Sequence, residues 1–110
     1  MNNAELIRKA ADKYKKDIVA FARNIIRTPS FSCQEGKLVE LIKKEMIKVG
    51  FDKVKIDAMG NIIGFIGHGK KKIMMDAHID TVGIGDPKAW KIDPFAGIYK
   101  NDTIYGRGAT

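Results

Sequence analysis

The hydrophobic repeat of this chain changes period at Gly50, and that single switch divides what it can fold into. Before it, Leu6, Ile7, Ala10, Tyr14, Ile18, Phe21, Ala22, Ile25 and Ile26 recur at intervals of three and four, which predicts one long amphipathic helix over residues 4–27. Pro29 drives Thr28 out of the helical region and ends it in a Thr-Pro-Ser-Phe-Ser connection. Ser32, three residues ahead of Glu35, has the spacing of a capping box, so a second helix is expected there. Leu38, Leu41, Ile42, Met46 and Val49 line one face of it, and Gly50 provides the left-handed position after its end, with Phe51 able to pack back.

Beyond Gly50 the apolar residues alternate. Val54 and Ile56, against Lys55 and Asp57, predict a half-buried strand. Met59-Gly60-Asn61 predicts a turn, and Ile62, Ile63, Phe65 and Ile66 a second strand. After a polar turn at Gly67-His68-Gly69-Lys70-Lys71, Ile73-Met74-Met75 is apolar at every position, which predicts a third strand buried inside the sheet. Asp86 and Pro87 are placed to cap and start a helical turn, and Lys100-Asn101-Asp102 to join a hairpin. The fold class expected is α/β, with two helices on a mixed β-sheet. Part of its apolar surface should be exposed, because the sheet layer is incomplete.

Composition narrows the function classes. No run approaches the ~20 apolar residues of a membrane span, and the first residues have neither the basic nor the apolar region of a secretion signal. A single cysteine, Cys33, agrees with a reducing compartment, so the cytoplasm is expected. The net charge of +7 invites a basic, non-catalytic module that binds nucleic acid or protein. Its distribution argues against a nucleic-acid surface: residues 1–27 carry seven basic and three acidic side chains around a helix, and Asp76 to Asp102 holds five Asp against three Lys. No specific nucleic-acid partner and no membrane partner are expected.

Several motifs fail on context. Gly64 to Lys70 fits a phosphate loop by letter, but position 71 is Lys where a hydroxyl must bind magnesium, and a strand rather than a helix is expected next. Asp80-Thr81 is followed by Val82, not the Gly of an aspartic-protease site, and no serine elbow occurs. Cys33 reads as a small buried or half-buried thiol, and His68, flanked by glycines, as a surface residue. His78-Ile79-Asp80 is different. Residues two apart in an extended segment face one side, so an imidazole and the carboxylate that orients it share a cavity, presented by a sheltered strand edge to a divalent cation. Asp76 lies on the same side by parity and reads as structural.

Together these residues carry a resemblance. Thr28-Pro29-Ser30, Ser32-x-x-Glu35, Gly50-Phe51, Gly60-Asn61-Ile62-Ile63-Gly64, His78-x-Asp80-Thr81-Val82, Trp90-x-x-Asp93-Pro94-Phe95 and Tyr105-Gly106-Arg107-Gly108-Ala109 occur in that order. The chain resembles the amino-terminal part of the M20 metallohydrolases, among them aminoacylases, acetylornithine and succinyl-diaminopimelate deacylases, and carboxypeptidase- and dipeptidase-type enzymes. The resemblance spans essentially all 110 residues, and Thr81 to Pro87 with Trp90 looks most like the selenium-metabolism-linked hydrolases of that group. It implies a zinc-peptidase-like catalytic domain with His78 as a metal ligand and Asp80 as the catalytic-site aspartate that positions it. It further implies two zinc ions, with cobalt or manganese as alternatives, a small-molecule amide substrate, and room for a homodimer through a domain not in this chain. The family's bridging aspartate, paired glutamates and later ligands would follow Thr110. Residues 1–110 therefore read as a truncated, amino-terminal part of a metallohydrolase domain, inactive alone because one histidine does not make a zinc site.

Overall fold

The computed structural model describes residues 1–109; Thr110, where the Gly-Arg-Gly-Ala-Thr run ends, lies outside them. Helix α1 spans Asn3–Arg27 and α2 Gly36–Lys48; strands β1 (Lys53–Ile56), β2 (Ile62–Phe65), β3 (Ile98–Lys100) and β4 (Thr103–Tyr105) follow, with a 3₁₀ turn at Pro87–Ala89. The fold class is α/β, as expected. The chain divides into two compact units, one of Thr28–Gly83 and one of residues 1–27 together with the segment from Ile84 onward.

In the Thr28–Gly83 unit, α2 lies against β1 and β2 with Leu38 and Val39 buried. Its start departs from the expected capping box. Glu35 stands at the cap with helical backbone angles and no side-chain cap bond. Its carboxylate accepts from the Cys33 backbone N–H at 3.0 Å instead, and the Ser32 hydroxyl is engaged elsewhere. Cys33 sits in this tight turn at φ 66 and is exposed, not the buried or half-buried thiol expected, because the turn holds it outside the core. The end of α2 follows the sequence closely. Gly50 takes φ 89, its N–H reaches the Ile47 carbonyl at 3.1 Å, and the Phe51 N–H reaches Met46 at 3.0 Å, the paired bonds of a Schellman motif. Phe51 then covers β2. A Cβ on Gly64 would stand 2.5 Å from its ring and 3.0 Å from the Met46 sulfur, so the strand admits both side chains only with glycine there. The strands pair antiparallel from Lys53 opposite Phe65 to Ile56 opposite Ile62. Asp57 closes their turn by accepting from the N–H groups of Met59 and Asn61 and from the Asn61 amide.

The single mixed sheet is not formed. The described strands make two antiparallel pairs, β1–β2 and β3–β4. Ile73-Met74-Met75 is not a strand: these side chains are 91%, 90% and 92% exposed. An apolar run becomes a central strand only where neighbours pair with both its edges, and no described strand does so here.

In the other unit, α1 meets the β3–β4 hairpin. Arg23 donates to the Gly97 carbonyl at 2.6 Å, Arg27 to Ala96 at 2.9 Å, and Arg107 to Ile26 at 3.0 Å. Asn101 and Asp102 both have positive φ, as a two-residue type I′ turn requires. Asp86 caps the 3₁₀ turn through the Lys88 N–H, with Pro87 in first position. Much of the apolar stripe of α1 stays exposed, at Leu6, Ile7, Tyr14 and Ile18.

Candidate metal-binding site at His78 and Asp80

Helix α1 stops before Pro29, and the chain then runs through Ser30 and Phe31 into a turn at Ser32 and Cys33. This connection grips the segment that carries the candidate residues. The fully buried Ser30 donates from its hydroxyl to the Ile79 carbonyl at 2.9 Å, and its own carbonyl accepts from the Thr81 N–H at 2.8 Å. Ser32 donates to Asp80 Oδ2 at 2.6 Å, the length of a charge-assisted bond. Residues 79–81 are half-buried in consequence, while their neighbours 70–78 are exposed.

Asp80 turns its second oxygen to the imidazole. His78 Nδ1 lies 3.1 Å from Asp80 Oδ1 and 3.0 Å from the Asp80 carbonyl oxygen. With acceptors on that side only, Nδ1 carries the proton and the Nε2 lone pair is left free. The Ser32 hydroxyl first, and His78 second, hold the Asp80 carboxyl below the ordinary carboxylate range. Ser32 faces the carboxylate and not the imidazole, so this is no nucleophile activated by a base.

The spacing of His78 and Asp80 thus brings the two side chains together, but the setting differs from expectation. The sheltered strand edge is absent, and the His78 side chain is 85% exposed against 40% for Asp80. Asp76 is exposed and takes no part in the pair. His68 is a surface residue, its Nε2 3.9 Å from Asp52. No group of three or more His, Cys, Asp or Glu side chains gathers among the described residues. Sequence reasoning missed Ser30 and Ser32. The available signal was a serine pair two apart, the same spacing as the His78 and Asp80 pair that it grips.

No family model and no solved structure matches the chain. Among curated proteins, it is 51% identical over 106 residues to an uncharacterized protein, YgeY, of Escherichia coli, a match covering 96% of this chain and 26% of that protein. It is 35% identical over 98 residues to a succinyl-diaminopimelate desuccinylase of Cereibacter sphaeroides, covering 86% of this chain and 26% of the relative. A succinyl-diaminopimelate desuccinylase of Parvibaculum lavamentivorans is 32% identical over 100 residues, covering 84% of this chain and 25% of its own length. The chain spans about a quarter of the length of the curated relatives it matches, and over most of its own length it is similar to proteins named as desuccinylases.

Proposed function

We propose that this chain is the amino-terminal part of an M20-type metallohydrolase domain whose reaction is hydrolysis of an amide bond in N-acyl amino acids, dipeptides or similar small molecules. The observation that carries this reading is the imidazole of His78 with Nδ1 committed to Asp80 and Nε2 free. Paired carboxylates serve ligating histidines in this way, fixing the tautomer and raising the basicity of the free nitrogen. The desuccinylase relatives support an amide substrate, since removing a succinyl group from an amine breaks an amide bond.

The donor set fits one arm of a zinc site. Imidazole suits zinc, cobalt or manganese, and His78 would hold the cation while Asp80 orients the ring. The chemistry a divalent cation supplies when bound is Lewis acidity, which polarises a scissile carbonyl and makes water more acidic. Zinc sites take three or four protein ligands, so the 110-residue chain alone is expected to be inactive and to bind zinc weakly at best. In this reading the full-length parent holds two metal ions, its further ligands and general base come from the rest of that protein, and it works in the cytoplasm, as a homodimer if the family's second domain is present.

The test grafts this chain in place of the matching quarter of the Cereibacter desuccinylase and follows zinc-dependent release of succinate. Turnover abolished by His78→Ala and lowered about 10–100-fold by Asp80→Asn is expected. Turnover indifferent to His78→Ala would overturn the reading, as would hydrolysis by the isolated chain.

A further inference from the structure

The hydroxyl of Ser32 is not spent where its sequence position suggests. Helix α2 begins without a side-chain cap, and Glu35 satisfies the Cys33 N–H, so nothing in the local chain needs this serine. Its hydroxyl crosses 48 positions to Asp80 Oδ2 at 2.6 Å. Two residues earlier, Ser30 holds the backbone on either side of Asp80, through the Ile79 carbonyl and the Thr81 N–H. One serine therefore fixes the backbone that bears the aspartate, and the other fixes the carboxylate itself.

That second restraint matters because the carboxylate is 40% exposed and the imidazole 85% exposed, so packing does not hold either one. A short carboxylate left to itself rotates among rotamers and trades the imidazole for water. With Oδ2 anchored, Oδ1 stays 3.1 Å from His78 Nδ1.

We propose that Ser32 is a positioning residue for the His78 and Asp80 pair: by pinning Asp80 Oδ2 it keeps Oδ1 on Nδ1–H and leaves Nε2 as the free donor atom. The use made of Nε2 rests on the metal-site reading above; the positioning itself does not. No bond is made or broken and no proton is transferred in this role, since Ser32 donates one hydrogen bond and the Asp80 carboxylate accepts two.

The readout is the tautomer of His78, taken from the two ring ¹⁵N shifts of the metal-free 110-residue chain at about pH 8, above the usual imidazole range. The unmodified chain should hold the Nδ1–H form as its majority, whereas imidazole side chains free in water favour Nε2–H. Ser32→Ala should lower the Nδ1–H fraction of His78, the Asp80 carbonyl at 3.0 Å remaining as its second acceptor, with the backbone amide spectrum outside residues 30–33 and 78–82 unchanged, and Ser32→Thr should restore that fraction. An Nε2–H majority in the unmodified chain overturns the proposal without recourse to any variant, and so does an Nδ1–H fraction that Ser32→Ala leaves unchanged. Because the 110-residue chain binds zinc weakly at best, the metal-site reading is tested in the desuccinylase graft described above. If the tautomer follows Ser32 but turnover of the graft is indifferent to His78→Ala, the positioning role stands and the metal site falls. If turnover needs His78 while Ser32→Ala leaves the tautomer alone, the metal site stands and the positioning role falls.

Discussion

Arg107 joins two functions in one side chain. Its guanidinium lies 5.1 Å over the Phe95 ring and donates to the carbonyl of Ile26, one of the last carbonyls of α1 that lack an intrahelical partner. A cation here also complements the negative end of the helix dipole. The residue is 3% exposed, and burial pushes its pKa down without removing its charge. Its Nε is buried and unpartnered among the described residues, so the position already bears a desolvation cost that the other contacts offset. Arg107→Ala should lower stability by about 1–3 kcal/mol in urea unfolding, leaving the Ile26 carbonyl unpaired. Arg107→Lys should recover less than half of that loss, because an ammonium group has no planar fork to stack and donate at once.

At the scale of elements, the β1–β2 turn is held by one carboxylate. Asp57 accepts from the Met59 and Asn61 N–H groups and the Asn61 amide, each at 2.9 Å, and Asn61 is the main cause that lowers its pKa. A carboxyl with a depressed folded pKa stabilises the fold above its unfolded value and loses that contribution as pH falls through the folded one. The hairpin should therefore keep its turn at pH 4 and release it below, followed through the Met59 and Asn61 amide signals. Asn61→Ala should raise the Asp57 midpoint toward the ordinary carboxylate value. An unchanged midpoint would show that the side-chain bond is not made.

Such local chemistry was legible beforehand. Gly50 and Phe51 announce the end of α2, Pro29 ends α1, Asp86 and Pro87 start the 3₁₀ turn, and His78 and Asp80 meet because their spacing puts them on one side. Each of these is decided within five residues or so. What failed was decided at long range. Ser32 satisfies either a helix cap or a carboxylate 48 positions away, and the nearby sequence is identical in both cases. Ile73-Met74-Met75 has the composition of a buried strand, but burial depends on partner strands that no local pattern supplies.

At the scale of the whole molecule, each unit leaves apolar side chains in water among the described residues: Leu6, Ile7, Tyr14 and Ile18 on α1 in one, and Ile66, Ile73, Met74 and Met75 in the other. Surfaces of this kind bind hydrophobic dyes and promote association. Replacing Ile73, Met74 and Met75 with Ser, Thr and Lys should reduce dye binding while changing unfolding free energy by no more than about 0.5 kcal/mol, the range of ordinary surface substitutions. A loss of several kcal/mol would mean that the segment is packed in solution.

The same three-residue stretch makes the chain a record of the peroxide it meets. Thioethers as open as those of Met74 and Met75, and of Met59 at 86% exposed, convert to sulfoxides without any need for the fold to open. Met46, half-buried against Phe51 and Gly64, is more sheltered and should react more slowly. Peptide mass spectrometry during mild oxidation should find positions 59, 74 and 75 oxygenated well before 46, and any later partner that shelters the stretch would reveal itself by slowing positions 74 and 75 alone.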